Sequence, residues 1–148
     1  RINLVEKSLK NDFNINNPKI AVLSINPHVG DGGVIGEHDD IILSPTIQEV
    51  SKSGIDISGP FASDSFFGTN MYKSFDAIIA SHHDQGLIPF KTLTFGNGVN
   101  FTAGLDIVRT SPDHGTAYDI AGKNIANPSS FSSAILEALN IIKNRKKN

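Results

Sequence analysis

Two short histidine segments carry the residues best suited to chemistry. Asn26-Pro27-His28 follows the apolar run Ile20 to Ile25, and Ser81-His82-His83-Asp84-Gln85-Gly86 follows the run Phe75 to Ala80. In open parallel sheets ligands collect in the loops beyond the carboxyl ends of the strands. Imidazoles from two strand ends, His28 and His83, could therefore meet at one cation. The chain has no cysteine, so a bound metal would have to use His, Asp or Glu. Gly30, Gly32, Gly33 and Gly86 let backbone come close to a ligand. A single loop histidine is more often solvated or structurally hydrogen-bonded, and residue types alone leave both readings open.

The elements that would position these residues follow from periodicity. Ile2, Val5 and Leu9 stand at helical spacing, which predicts a helix over 2–10. A strand over 20–25 and a glycine-rich loop over 26–36 follow. A helix from about Pro45 to Ser53 should be capped by Ser44 and ended by Gly54. A short extended piece over 55–57 leads to Gly59-Pro60. The continuously apolar Ala77-Ile78-Ile79-Ala80 reads as the centre of a strand over 75–80, buried on both faces. After a loop over 82–85, extended segments are expected near 99–102 and 107–110. A last helix carries Phe131, Ile135, Leu139 and Ile142 on one stripe, the pattern of a core-facing surface. Strands alternating with helices imply a three-layer α/β/α domain with a mostly parallel sheet.

Bulk composition narrows the function. With 39% hydrophobic and 19% charged residues in 148, the chain can fold around a core and is neither disordered nor fibrous. Net charge is −2, and the one basic cluster is the short tail Lys143, Arg145, Lys146, Lys147, too small for a nucleic-acid footprint. No apolar run is long enough to cross a bilayer. Neither nucleic acid nor membrane is expected as a partner, and the absence of cysteine fits a cytoplasmic enzyme. The chain opens at Arg1 on what reads as a helix, and a piece of a longer protein is expected.

Five segments sharpen that expectation: NPHVGDGG (26–33), GPFASDSFF (59–67), HDQGLIPFK (83–91), FGNGVNFTAGL (95–105) and RTSPDHGTAYDIAG (109–122). In content and order they resemble the motifs of the 4-hydroxythreonine-4-phosphate dehydrogenase family, and they cover almost the whole chain. The resemblance implies that residues 1–148 are the C-terminal portion of a two-domain dehydrogenase with the isocitrate/isopropylmalate dehydrogenase-like fold. It implies that His28 and His83 are two of three histidine ligands of a divalent metal (Zn, Mg or Co), the third lying upstream. His82 matches no ligand position and reads as a neighbour. Lys91, Asn100 and Arg109 resemble the substrate-binding residues. Lys and Arg suit the phosphate and carboxylate of a small anion, and Asn suits a hydroxyl or amine. Asp64 and Asp84 fall inside matching motifs as acidic groups that could orient a water, a histidine or the substrate amine, with helix capping the simpler role for Asp64. Lys91 is also the candidate for proton transfer.

The stretch from His114 to Pro128 resembles the adenosine-binding loop of isopropylmalate and isocitrate dehydrogenases. That likeness implies NAD as cofactor, with His114 near the adenine, Asp119 at the ribose hydroxyls and Asn127 at the adenine edge. Tyr118 departs from it, since the isopropylmalate relatives usually have proline there. The implied reaction is NAD-dependent oxidation and decarboxylation of 4-(phosphooxy)-L-threonine to 3-amino-2-oxopropyl phosphate, in pyridoxal 5'-phosphate biosynthesis. The implied assembly is a homodimer with the active site at the subunit interface, and the 148 residues alone are expected to be inactive. The alternatives are a paralogous dehydrogenase of a phosphorylated four-carbon sugar acid (threonate or erythronate 4-phosphate), or a non-catalytic anion-binding domain.

Overall fold

The computed structural model of the chain describes residues 1–147. Three parallel strands form its centre: β1 (Ile20–Leu23), flanked by β2 (Ile57–Phe61) and β3 (Ala77–Ile79), in the order β2-β1-β3. Side chains alternate across β1. Ile20 and Val22 point into a cluster with Leu9, Ile47 and Ile57, beneath α1 (Ile2–Asn11) and α2 (Ser44–Lys52). Ala21 and Leu23 point the other way, against Phe66 of α3 (Ser63–Gly68) and the half-buried Phe61, Phe75 and Ile78. Helices cover both faces of the sheet, giving the three layers that the alternating pattern predicts. All four β1 residues are buried, as in a central strand of a two-sided sheet.

Several local expectations are corrected. β3 is half-buried along its length, because it is an edge strand here and not a central one. β2 runs through Gly59-Pro60 instead of stopping before it. Proline is tolerated there because β2 is the other edge, and a Cβ on Gly59, at φ 141°, would collide with the Val22 carbonyl. Ser44 does not cap α2: a wide π-type turn over Asp39–Leu43 runs straight into the helix, so Ser44 is already helical. Gly54, at φ 95°, does follow the helix end.

The segment 82–85 is not a loop. It opens α4 (His83–Thr94), whose interior Pro89 and early Gly86 disguise a helix in the sequence. Beyond α4, β4 (Val99–Phe101) and β5 (Thr110–Pro112) pair antiparallel, the second strand starting later than 107–110. This hairpin packs on α5 (Ser129–Arg145), where the Thr110 hydroxyl donates to the Ala134 carbonyl (2.8 Å) and the Ser130 hydroxyl to that of Gly98 (2.7 Å).

The buried side of α5 is Ser130, Ala134 and Ile141. The expected core stripe is turned outward instead: Phe131 is 57% exposed, Leu139 58%, Ile135 48% and Ile142 40%. A one-residue offset rotates a helix face by about 100°, and the small Ser130 and Ala134 let the hairpin approach. The end of α5 closes onto the end of α1. Arg145 Nε donates to Asp12 Oδ1 at 2.6 Å, Ser8 Oγ donates to Asp12 Oδ2 at 2.6 Å, and Asn144 donates to the Asp12 carbonyl at 2.8 Å. Among the described residues no helix is long and apolar enough to cross a membrane.

Candidate active site

The loop after β1 is shaped from outside by a buried carboxylate. Asp39 is fully buried and accepts from the Ile25 N–H (2.7 Å), the Asn26 N–H (2.8 Å) and the Asn26 side-chain amide (3.0 Å). From this anchor the chain enters a left-handed turn. His28 (φ 53°), Val29 (φ 57°) and Asp31 (φ 48°) all hold positive φ, as do Gly30, Gly32 and Gly33. The left-handed region is rare for a non-glycine residue and most unfavourable for a β-branched one. Such backbone concentrates where function needs a side chain in one place. Gly30 is required here, since a Cβ would strike the Gly36 carbonyl.

The turn after β3 meets this loop. His82 Nε2 donates to the Ile25 carbonyl at 2.9 Å, so that nitrogen carries a proton and is spent on structure. His83 Nδ1 lies 2.7 Å from Asp84 Oδ1, both side chains being exposed. A carboxylate only accepts, so in this contact Nδ1 is the donor.

A cavity of about 500 Å³ is lined by Ser24, Ile25, Asn26, Pro27, His28, Ser63, Asp64, His82 and Gln85. His28 and Asp64 thus share a space; His83 is not among its walls, and its neighbour His82 is. A second cavity of about 480 Å³ shares Ser63, Asp64 and Gln85 with the first and adds Asp84, with apolar walls from Phe67, Ile88 and Leu93. Asp64 stands in the first turn of α3, where its Oδ1 accepts from the Ser65 hydroxyl at 3.4 Å.

Two turns along α4, a third cavity of about 360 Å³ is lined by Leu87, Phe90, Lys91, Val99, Asn100, Phe101 and Asp113. Lys91 and Asn100 therefore converge, from α4 and β4. Lys91 Nζ donates to the Asp113 carbonyl (3.0 Å), and Asp113 lines the same cavity. Arg109 is not in the wall. It lies across the hairpin from Thr102, with its N–H donors engaging the Thr102 hydroxyl (2.9 Å) and its carbonyl accepting from the Thr102 N–H (3.1 Å). Residues i and i+2 of a strand share a face, which puts Arg109 on the Asn100 side of the hairpin.

A family model described as pyridoxal phosphate biosynthetic protein PdxA matches residues 1–138. The chain belongs to the PdxA family. It is 50% identical over 147 residues to the 4-hydroxythreonine-4-phosphate dehydrogenase of Bacteroides thetaiotaomicron, covering 99% of this chain and 40% of that one. It is 50% identical over 141 residues to the enzyme of that name from Prosthecochloris aestuarii, covering 95% and 41%. The crystal structure of 4-hydroxythreonine-4-phosphate dehydrogenase from Klebsiella pneumoniae superposes with a TM-score of 0.76 at 37% identity, over 97% of this chain and 43% of that one. The three-layer arrangement with its parallel sheet is thus the isocitrate dehydrogenase-like fold of the PdxA enzymes. The chain spans about two fifths of the length of the curated relatives it matches.

In this PdxA-family chain His28 and Asp64 line the first cavity, and imidazole and carboxylate donors are of the kind that suits a borderline divalent cation such as Zn²⁺. The Asp84–His83 pairing is the arrangement that commonly orients a ligating imidazole. Among the described residues no group of three or more His, Cys, Asp or Glu side chains is placed to hold a metal ion.

The residues expected at the dinucleotide are exposed and line none of the three cavities. His114 Nδ1 donates to the Gly115 carbonyl (2.9 Å), and Asp119 sits in a short 3-10 turn over Tyr118–Ile120. Asn127 Oδ1 accepts from the Ser129 N–H (2.9 Å) and hydroxyl (2.6 Å), so it ties down the start of α5. Two residues that sequence reasoning passed over organise the site: Asp39, for which no local pattern gave a sign, and Gln85, which the HDQG segment contains.

Proposed function

We propose that the full-length protein is an NAD-linked, metal-dependent 4-hydroxythreonine-4-phosphate dehydrogenase of pyridoxal 5'-phosphate biosynthesis. In this reading it oxidises the secondary alcohol of 4-(phosphooxy)-L-threonine. The carbinol hydride passes to NAD, the hydroxyl proton is lost, and the resulting β-keto acid breaks its carboxyl C–C bond to release CO₂. A proton taken up at that carbon gives 3-amino-2-oxopropyl phosphate. The observation that supports this most directly is the convergence of Lys91 and Asn100 on one cavity, on the hairpin face that also carries Arg109.

Within this reading, Lys91 and Arg109 bind the phosphate and carboxylate ends as fixed cations, and Asn100 bonds the amine or hydroxyl between them. Lys91 also returns the proton after CO₂ leaves. His28 and His83, with a third imidazole from outside these 148 residues, would hold a divalent cation, which would supply Lewis-acid chemistry to the oxidation, and NAD would supply the hydride acceptor. Asp84 keeps His83 in the ligating tautomer, and Asp64 faces the same space as His28. His114, Asp119 and Asn127 are assigned to the adenosine half of NAD, an acidic side chain at the ribose favouring NAD over NADP. The protein works as a cytoplasmic homodimer with the site at the subunit interface, and residues 1–148 alone are inactive.

The test uses the full-length protein with NAD and either 4-(phosphooxy)-L-threonine or threonate 4-phosphate. NADH formation with CO₂ release on the amino substrate, lost with the chelated protein and in Lys91→Met, is the expected result. Turnover confined to threonate 4-phosphate would replace the assignment with the sugar-acid paralogue. Turnover on neither, with no metal in the purified protein, would leave an anion-binding domain.

A further inference from the structure

The side-chain amide of Gln85 makes four hydrogen bonds to three segments of chain. Oε1 accepts from the backbone N–H of Ser81 (3.1 Å) and His82 (3.2 Å). Nε2 donates to the Ser24 carbonyl (2.6 Å) and the Ser63 hydroxyl (2.7 Å). A carboxamide has two donor hydrogens and two acceptor lone pairs, so this one is fully used. Although Gln85 lines two cavities, its amide has nothing left to offer a bound molecule.

What it grips is informative. Ser24 ends β1 and leads through Ile25, Asn26 and Pro27 to His28. Ser63 opens α3 and immediately precedes Asp64. Ser81 and His82 immediately precede His83 and Asp84. His28, Asp64 and His83 each lie one to four positions beyond an atom that Gln85 holds. We infer that Gln85 is a positioning residue: its one amide sets the relative placement of the three strand ends, and with it the spacing at which His28 and His83 meet a divalent cation beside Asp64. The inference rests on the metal reading given above. The His82–Ile25 bond ties two of the same segments but leaves α3 out.

A purely local role would be the capping of α4, since Gln85 occupies the third helical position and bonds back to the N-cap N–H. The two roles separate in Gln85→Glu. A carboxylate still accepts from Ser81 and His82, and suits a helix N-terminus. It cannot donate to the Ser24 carbonyl, which it would repel. Capping alone predicts that Gln85→Glu matches the wild type, whereas positioning predicts that it fails along with Gln85→Met.

The experiment is performed on the full-length protein with Co²⁺ alone as probe, followed by its visible absorption, beside thermal melting and the KM for NAD. Both variants are expected to bind Co²⁺ about 10-fold or more weakly, with KM for NAD within about two-fold of wild type and Gln85→Glu melting close to it. A folded Gln85→Glu with wild-type Co²⁺ affinity would overturn the inference. His28→Ala is the control for the metal reading. If it binds Co²⁺ as tightly as wild type, that reading has failed, and positioning is judged on kcat instead: a fall of about 10-fold in Gln85→Glu supports it, and wild-type kcat overturns it. Should Gln85→Glu and Gln85→Met both melt below the assay temperature, Ser63→Ala, which removes only the α3 acceptor, carries the same readouts. An approximately three-fold or greater loss is expected from it, and no loss would overturn the inference.

Discussion

Asp39 holds Asn26 at two points, its carboxylate oxygen Oδ2 accepting from the backbone N–H at 2.8 Å and from the side-chain amide at 3.0 Å. A third bond, from the Ile25 N–H to Oδ1 at 2.7 Å, completes the grip two residues ahead of His28. Substituting Asp39→Asn places an amide N–H against donors that need an acceptor. Hydrogen bonds to a charged group contribute about 1.5–3 kcal/mol, so a loss of about 2 kcal/mol is expected in urea unfolding of the full-length protein. Wild-type stability in Asp39→Asn would mean that the loop is held by other contacts.

Asp84 is expected to act on His83 and not on the fold. The pair is exposed, and exposed pairs add little stability. Asp84→Asn should leave the melting temperature unchanged while weakening the affinity for Zn²⁺ or Co²⁺ by about 10-fold or more, because the Nδ1 proton loses its carboxylate. Equal metal affinity in the two proteins would remove Asp84 from the site.

The Arg145–Asp12 pair joins residues 133 positions apart, with the Asp12 side chain 4% exposed and that of Arg145 23%. Removing one partner of a buried ion pair strands the other charge, at a cost of about 3–5 kcal/mol. Arg145→Met should therefore fall in the lower part of that range, Ser8 still bonding Asp12. The denaturation midpoint measures it, and a shift equivalent to under about 1 kcal/mol would show that water replaces the guanidinium freely.

Val29 is a β-branched residue held at φ 57°, ψ 32°. The left-handed conformation costs an L-residue about 1–2 kcal/mol, and glycine gives back part of that gain as unfolded-chain entropy. Val29→Gly is expected to stabilise the protein by up to about 1 kcal/mol, read as a rise in melting temperature. A fall would mean that the Val29 side chain contributes packing that outweighs its backbone strain.

Much of the architecture was legible in the chain. The run from Ile20 was expected to be a strand, and the alternation of strands with helices implied the two covered faces that α1, α2 and α3 supply. Gly54 marked the end of α2, and the spacing of Ile2, Val5 and Leu9 marked α1. The whole of α4 was hidden because Gly86 and Pro89 weaken its local helical signal, whereas the helix is held from outside by the Gln85 bonds to Ser24 and Ser63. Lys91 and Asn100 were expected at one ligand and line one cavity. His28 and Asp64 also share a cavity, while His83 stands beside Asp84 and outside those walls.

By itself the sequence determined α1, β1, α2, β3 and α5, the family they belong to, and which side-chain types stand at the strand ends, because these depend on local periodicity and on motifs read in order. Tertiary structure alone decided which face of α5 is buried, that Asp39 reaches back to the His28 loop, and that one glutamine amide joins three strand ends. The physical reason is that a helix with apolar residues on several sides has no preferred face until a neighbour fits against it. A polar side chain, likewise, has no preferred partner until folding brings remote backbone donors and acceptors within about 3 Å of it.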